Sequence, residues 1–165
     1  MFRKSTLSNG IRVVSETLPK SRSLSIGVWV KVGSRHETKD WGGISHFIEH
    51  LFFKGTEKRS ARDIAIEMDS VGGEMNAFTS QEMTTYYVKV LDEHLPKAIN
   101  LLSDILLHSR FDGEEMEKER RVILEEIKGV EDTPSDYIHE ILAGTVWPDN
   151  PLGRPILGTK ETIGA

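Results

Sequence analysis

The sequence contains no cysteine among its 165 residues. This absence excludes disulfide bonds and thiolate metal sites, so any zinc ion must be held by histidine and carboxylate side chains. No apolar run approaches the roughly 18 residues that a membrane span needs, and residues 1–4 are followed by Ser, Thr and Asn rather than by an apolar segment. We therefore expect no signal peptide, no membrane partner and a cytoplasmic location.

A basic excess is missing as well. The chain has 21 Lys and Arg against 26 Asp and Glu, which gives a net charge of -5. Proteins that bind nucleic acid usually show a basic excess, so nucleic acid is not expected as a partner. The length corresponds to about one domain, and 38% hydrophobic residues is ordinary for a soluble globular protein. We predict a single domain over residues 1–165.

One segment, residues 46–50, carries two histidines and a glutamate in the order His-x-x-Glu-His. At about 100° per residue in a helix, His46, Glu49 and His50 fall on one face, and the opposite face is apolar. Two histidines four residues apart can share a metal ion, and the glutamate can hold a water molecule beside that ion. This order reverses His-Glu-x-x-His and is the inverzincin signature. The segment therefore predicts a zinc site on a helix.

Hydrophobic periodicity and turn residues predict an α+β fold with helices packed on one face of a mostly antiparallel sheet. Strands are predicted over residues 10–15, 25–32, 74–79 and 83–91, the last two forming a hairpin. Helices are predicted between Gly43 and Gly55, over residues 60–70, 96–109, 114–130 and 135–143, and from Thr159, where the last helix is cut short at Ala165.

Two finer expectations accompany this assignment. We expect Ser45 or a nearby residue to cap the helix that carries the His-x-x-Glu-His motif. In the second strand, four β-branched residues alternate with other residues, and this period of two predicts that they share one buried face. These residues are Ile26, Val28, Val30 and Val32.

A third zinc ligand is expected from the glutamate-rich helix predicted over residues 114–130. In helical phase, Glu119 and Glu126 lie on the same side as an apolar stripe. Burying an unpaired carboxylate is costly or forces it to stay protonated, so both glutamates need partners. A metal ion held by His46 and His50 is a suitable one. We predict Glu126 as the third ligand and Glu119, two turns earlier, as a supporting residue or an alternative ligand.

Further segments accompany the motif along the chain. They are residues 7–10, 33–35, 43–56, 72–79, 119–126 and 151–155. Together they resemble the pitrilysin family of zinc metallopeptidases, and within it the mitochondrial processing peptidases and their bacterial relatives. The resemblance covers nearly the whole chain.

By position, the resemblance implies His46, His50 and Glu126 as zinc ligands, Glu49 as the general base and Glu119 as a supporting acid. It also implies that Asn76, Ala77 and Phe78 lie on a strand whose edge pairs with an extended peptide substrate. The implied activity is hydrolysis of peptide bonds, with zinc polarising the carbonyl and Glu49 moving a proton from water to the leaving amine. Members of the family continue into further domains. We therefore expect an N-terminal domain, truncated at its C-terminal end, over which a missing C-terminal half or another copy of the chain closes.

Other interpretations stay open at this point. The chain could be a fragment that binds zinc without cleaving peptides, or a non-catalytic partner or assembly subunit of the same fold, although such members typically have a damaged zinc motif. It could also bind strands at Asn76 without chemistry. The histidines could be an ordinary hydrogen-bonded pair, and Glu119 could be a salt-bridged residue.

Overall fold

The computed structural model describes residues 2–165, which form five β-strands and six α-helices. The strands are β1 (Phe2–Thr6), β2 (Arg12–Glu16), β3 (Ser23–Val30), β4 (Glu74–Thr79) and β5 (Thr84–Leu91). The helices are α1 (Ile44–Leu51), α2 (Ala61–Asp69), α3 (Leu95–Leu107), α4 (Gly113–Glu131), α5 (Pro134–Val146) and α6 (Lys160–Gly164). Within this described range, no helix is both long and apolar enough to cross a membrane.

The strands form two separate antiparallel sheets. β1 pairs with β2 in a hairpin, and β5 lies between β3 and β4 in a three-stranded sheet. The predicted β4–β5 hairpin is confirmed, with Thr79 opposite Thr84 at its closed end. β1 was not among the predicted strands, because its sequence FRKST lacks the apolar alternation of a half-buried strand, and all its residues are exposed.

The larger hydrophobic core lies between the three-stranded sheet and the helices α2 and α3. Its buried residues are Ile64, Met68, Tyr86, Val88, Val90, Ala98, Leu101, Leu102 and Ile105. Full burial of a large apolar side chain stabilises a fold by about 1.5–3 kcal/mol, so this contact holds the sheet to the helices. The α+β prediction, with helices on one face of an antiparallel sheet, is confirmed.

The outer strand β3 is less covered than its sequence predicts. Ile26 packs against the core, but Val28, Val30 and Val32 are 36%, 39% and 47% exposed. The prediction that all four share a buried face is therefore wrong. The reason is tertiary: β3 lies at the edge of the sheet, and the core reaches it through Leu24 and Ile26.

A smaller core joins the motif helix α1 to α4 and α6. Its buried residues are Phe47, Leu51, Ile123, Ile127 and Ile163. In α1, His46 precedes Phe47 and His50 precedes Leu51, so each histidine lies about 100° round the helix from a buried residue. The burial of Phe47 and Leu51 against α4 therefore places both histidines at the edge of the same helix contact, within reach of other α4 residues. This packing positions the candidate site.

A second group of polar side chains, the Arg59 cluster, joins the loop after α1 to α2 and α3. The guanidinium of Arg59 donates to Glu67 at 2.8 Å, to Asp104 at 2.6 Å and to Asn100 at 2.8 Å. Thr56 donates to the same Asp104 oxygen at 2.8 Å. Burial works to raise the pKa of Asp104, but the bonds from Arg59 and Thr56 outweigh it and hold that pKa below its ordinary value. The cluster is thus a closed set of charge-assisted hydrogen bonds.

Candidate metal centre

The start of α1 is fixed by residues from distant parts of the chain. Gly43 has a φ of 90°, and a Cβ at this position would lie 2.5 Å from the carbonyl oxygen of Leu157, so glycine is required. The carboxylate of Glu37 accepts hydrogen bonds from the backbone N–H groups of Gly43 and Ser45, both at 2.8 Å. The N-cap residue is Gly43, so the cap lies near Ser45 but not at Ser45, which is inside the helix, and the carboxylate of Glu37 makes the hydrogen bonds that a capping side chain would otherwise make. The helix also ends at Leu51, before the predicted Gly55.

α4 packs beside α1 and brings Glu126 to both motif histidines. The Oε2 atom of Glu126 lies 3.8 Å from Nε2 of His46 and 3.7 Å from Nε2 of His50. The two imidazole centroids are 4.6 Å apart, and one ligand atom from each of the three residues lies within 4.8 Å of the other two. The structure thus brings together the three residues that were predicted to hold zinc, which we call the His–Glu cluster.

These separations suit a shared ion better than direct hydrogen bonds. A hydrogen bond between nitrogen and oxygen spans about 2.7–3.2 Å. Zinc bonds to nitrogen and oxygen at about 2.0–2.2 Å, so tetrahedral geometry puts neighbouring ligand atoms roughly 3.4 Å apart. The observed 3.7 and 3.8 Å are too long for a hydrogen bond and lie closer to the spacing of zinc ligands. Two imidazoles and one carboxylate also match the ligand set of catalytic zinc sites, which leave a fourth position open.

The environment of His46 keeps its imidazole neutral. Burial lowers the pKa of His46 to about 4, and the neighbouring His50 adds to the shift. Among residues 2–165, the buried Nδ1 atom of His46 has no hydrogen-bond partner. Since metal binding requires a neutral imidazole, His46 is already in the protonation state of a ligand at pH 7.

Glu119 lies behind His50 and is bonded on both carboxylate oxygens. Its Oε2 atom is 3.0 Å from Nδ1 of His50, and its Oε1 atom is 2.7 Å from the ammonium of Lys54. Burial works to raise the pKa of Glu119, but the bonds with Lys54 and His50 outweigh it and lower that pKa. A carboxylate that binds the second imidazole nitrogen fixes the ring and directs its other nitrogen outwards. In this structure Glu119 is both salt-bridged and placed as a support for His50.

Glu49 lies on the same helix as the two histidines and faces β4. The hydroxyl of Thr79 donates a hydrogen bond to the Glu49 carboxylate. Burial raises the pKa of Glu49 above its ordinary value and outweighs the opposing effects of Thr79 and His50. A carboxylate with a raised pKa is a better proton acceptor than an exposed one, which suits a general base.

The predicted substrate residues Asn76, Ala77 and Phe78 lie on β4, an outer strand of the three-stranded sheet. One edge of β4 pairs with β5, and within residues 2–165 its other edge is unpaired. Asn76 and Phe78 are exposed, whereas Ala77 is partly buried against the larger core. Because β4 ends at Thr79, the bond from Thr79 to Glu49 connects this outer strand directly to the motif helix.

Several contacts of the site have no signal in the sequence pattern. In the sequence, Lys54 is a polar residue in the last turn of the predicted motif helix, and Thr79 is the last residue before a predicted hairpin turn. Glu37 lies in a loop whose composition gives no hint that it caps α1. A search for carboxylates and cations within one turn of the motif could have proposed Lys54, which lies four residues after His50.

The sequence matches the family model described as "Insulinase (Peptidase family M16)" over residues 12–160. It is 52% identical over 165 residues to the uncharacterized zinc protease YmxG of Bacillus subtilis, covering 100% of this chain and 40% of that protein. It is 52% identical over 163 residues to an uncharacterized zinc protease of Streptomyces coelicolor, covering 99% of this chain and 36% of that protein.

A solved structure shares the fold. The crystal structure of a protease from Helicobacter pylori superposes with a TM-score of 0.95 at 30% sequence identity, covering 99% of this chain and 40% of that one. The chain therefore spans about 36–40% of the length of these relatives.

Proposed function

Because the chain belongs to the insulinase family of peptidases, family M16, we propose that it is the zinc-binding part of a metalloendopeptidase that hydrolyses peptide bonds in extended peptides. The observation that carries the proposal is the spacing of the His–Glu cluster, where Oε2 of Glu126 stands 3.7–3.8 Å from two imidazole nitrogens. The relatives of this chain in Bacillus subtilis and Streptomyces coelicolor are named zinc proteases, which supports zinc as the ion.

In this proposal His46, His50 and Glu126 hold the zinc ion, and Glu119 keeps His50 in place. The lowered pKa of His46 supports its role, because a neutral imidazole need not lose a proton to bind a metal. When bound, zinc at a site with three protein ligands lowers the pKa of water towards about 7 and polarises the scissile carbonyl.

Glu49 is the proposed general base. Its carboxylate takes a proton from the attacking water and passes it to the nitrogen of the leaving amine, so that no charged amide anion has to depart. Burial, which raises the pKa of Glu49, favours this proton transfer at neutral pH, and the Thr79 hydroxyl holds the carboxylate in place.

The outer edge of β4 is the proposed peptide-binding edge. A substrate that adds to this edge as a further strand would be held mainly through its backbone, which predicts loose side-chain specificity and a requirement for extended peptides. Asn76, Ala77 and Phe78 would form the contact. Because the chain is shorter than its relatives, we propose that the remaining part of the longer protein, or a second copy of this chain, closes over the bound peptide.

The test compares the wild-type chain with Glu49→Gln, each loaded with zinc and incubated with an unstructured peptide. We expect both proteins to bind one zinc ion, measured by elemental analysis, and only the wild type to release fragments detectable by mass spectrometry. Chelation should abolish cleavage. A wild-type chain that binds no zinc would overturn the proposal. A chain that binds zinc in both forms and cleaves in neither would instead favour the alternative of a non-catalytic partner or assembly subunit.

A further inference from the structure

Lys54, just after α1, is bonded to the carboxylate that supports His50. The ammonium nitrogen of Lys54 lies 2.7 Å from Oε1 of Glu119, and Oε2 of the same carboxylate lies 3.0 Å from Nδ1 of His50. The three side chains therefore form a chain of contacts that ends at the His–Glu cluster. The proposed function gives roles to Glu119 and His50 but none to Lys54.

The carboxylate of Glu119 is the most enclosed group of this chain of contacts. Its side chain is 6% exposed, against 32% for Lys54 and 18% for His50. Among residues 2–165, Lys54 is the one lysine or arginine whose side chain bonds this carboxylate. An enclosed carboxylate oxygen without a donor is costly. Without the ammonium, Oε1 would lose its partner, and the carboxylate would be free to turn away from His50.

The backbone holds Lys54 in place on both sides. Its N–H group donates to the carbonyl of Leu51 at 3.0 Å, and the carbonyl of Gly55 accepts from the N–H group of Arg110 at 3.2 Å. The two phenylalanines that precede Lys54 pack against the larger core. The ammonium therefore reaches Glu119 from a fixed base, unlike the long, mobile side chains of most surface ion pairs.

The two motif histidines differ in what holds their rings. Nδ1 of His50 is bonded to Glu119, whereas the buried Nδ1 of His46 has no partner within residues 2–165. A carboxylate acceptor requires the proton of a neutral imidazole to be on Nδ1, which leaves the lone pair of Nε2 free. Nε2 of His50 is the atom that lies 3.7 Å from Glu126. The tautomer of His50 is thus set by a contact from outside the His–Glu cluster.

From these contacts we propose that Lys54 is a positioning residue for the metal centre. It holds Glu119 in the orientation that keeps the proton of His50 on Nδ1 and leaves Nε2 free to bind a metal ion. Lys54 acts only through Glu119 and contacts neither the ion nor the substrate. This inference rests on the proposed function, because the value of a fixed tautomer lies in the proposed zinc site.

The first test observes the tautomer of His50 in the metal-free chain, prepared with a chelator that is then removed. At pH 8, well above the ordinary pKa of histidine, the nitrogen-15 shifts of the two ring nitrogens distinguish the tautomers. The signals that disappear in His50→Gln assign them. We expect the wild type to carry the proton on Nδ1 and Lys54→Met to show a mixture of the two tautomers. An unchanged tautomer in Lys54→Met would overturn the proposal.

Three further variants make this test specific. Lys54→Arg keeps the positive charge and should keep the wild-type tautomer. Lys58→Met removes the same charge from an exposed lysine of the same loop and should change nothing. Lys54→Gln keeps an N–H donor for the buried oxygen and covers the case in which Lys54→Met does not fold, which the amide spectrum shows. It should shift the tautomer to a smaller extent, and no shift would count against the proposal.

The second test measures zinc affinity by competition with a chelating dye. Lys54→Met should weaken zinc binding by about tenfold, the lower end of the range for residues that support metal ligands. The double variant Lys54→Met/Glu119→Gln should bind zinc no more weakly than Glu119→Gln alone, because Lys54 acts through Glu119. Losses that add in the double variant would show that Lys54 acts by another route and would overturn the proposal.

These two measurements separate this inference from the proposed function. A wild-type chain that binds no zinc, but whose His50 tautomer changes in Lys54→Met, would overturn the proposed function and support the positioning of His50 by Lys54. A chain that binds zinc equally tightly with and without Lys54, and whose His50 tautomer stays the same, would overturn this inference and leave the proposed function intact.

Discussion

The Arg59 cluster and the His–Glu cluster differ in how completely their polar atoms are bonded. In the Arg59 cluster four hydrogen bonds join donor and acceptor atoms at 2.6–2.8 Å, and a fifth, from Arg59 to Glu67, spans 3.3 Å. In the His–Glu cluster the same kinds of atoms stop at 3.7–3.8 Å, and one buried nitrogen of His46 has no partner among residues 2–165. Both clusters join the α1 region to neighbouring helices, the Arg59 cluster to α2 and α3 and the His–Glu cluster to α4.

This difference separates a structural cluster from a candidate site. Charged groups that only stabilise a fold move together until their hydrogen bonds are short, because an unpaired buried charge is costly. Groups that stay apart at a spacing near that of zinc ligands leave room for an ion between them. The following predictions test this distinction, beginning with the largest expected effect.

Removing the central cation of the Arg59 cluster should destabilise the fold. Arg59→Met keeps the aliphatic stem but leaves Asp104, whose side chain is 6% exposed, without its main partner. We expect a loss of about 3–5 kcal/mol in the free energy of unfolding, measured with denaturant, and no change in zinc affinity. Arg62→Met, at an exposed arginine three residues along the chain, is the control and should change stability by less than about 0.5 kcal/mol. Equal effects of the two variants would contradict a structural role for the cluster.

The His–Glu cluster should make the metal-free chain sensitive to acid. The pKa of His46 is about 4 in the folded state and 6.5 in an unfolded chain, so between these values the unfolded state binds more protons. The pKa shift of His46 therefore makes the free energy of unfolding depend on pH. Its contribution is fully present above about pH 6.5, is lost as the pH falls towards 4, and amounts to about 3 kcal/mol. Thermal melting of the chelated chain between pH 7 and 4.5 measures the slope, and His46→Gln should reduce it. An unchanged slope in that variant would contradict the assignment.

Glu126→Gln should separate metal binding from stability. The Glu126 side chain is 40% exposed and makes no short hydrogen bond within residues 2–165, so we expect the stability of the metal-free chain to change by less than about 0.5 kcal/mol. Zinc affinity, measured by competition with a chelating dye, should fall by about a hundredfold, because one of the three proposed protein ligands is lost. Glu125→Gln, on the exposed side of the same helix, should leave the affinity unchanged. A similar loss in both variants would mean that the helix contributes only its general negative charge.

The smallest effect is expected from the carboxylate behind His50. Glu119→Gln keeps a group that can accept the hydrogen bond from His50 but removes the charge that pairs with Lys54. Zinc affinity should fall by about tenfold, the lower end of the range for residues that support metal ligands. Glu117→Gln, at a glutamate whose side chain is 62% exposed, is the control. If Glu119→Gln weakened zinc binding as much as Glu126→Gln, Glu119 would have to be counted as a ligand.

The parts of the fold that follow from local patterns could be predicted from the sequence. Ser60 and Thr159 cap α2 and α6 as their positions suggest, and the β4–β5 hairpin follows from alternation around a polar turn. The approach of Glu126 to the two histidines was also predictable in part, because helical phase limits which glutamates of α4 can face the core.

The remaining contacts depend on which distant segments of the chain pack together, and the hydrophobic periodicity of the sequence does not predict such contacts. Glu37 bonds the backbone at the start of α1 because the loop that carries it folds back over the helix start. Val28 and Val30 are exposed because the core stops short of their part of an outer strand. The local sequence does not distinguish Lys54 and Arg59 from ordinary surface cations. In the structure, both pair with carboxylates whose side chains are only 6% exposed.

The contacts that hold α1 in place also determine when the His–Glu cluster can form in a newly synthesised chain. The backbone of Gly43 packs against Leu157, and Arg154 donates to the backbone carbonyl of Glu37 at 2.7 Å. The two histidines therefore leave the ribosome about a hundred residues before the segment that secures their helix, and contacts so far apart in sequence form slowly. We therefore expect the proposed zinc site to form late in synthesis, and a ribosome stalled before residue 150 to expose the motif without a stable helix to hold an ion.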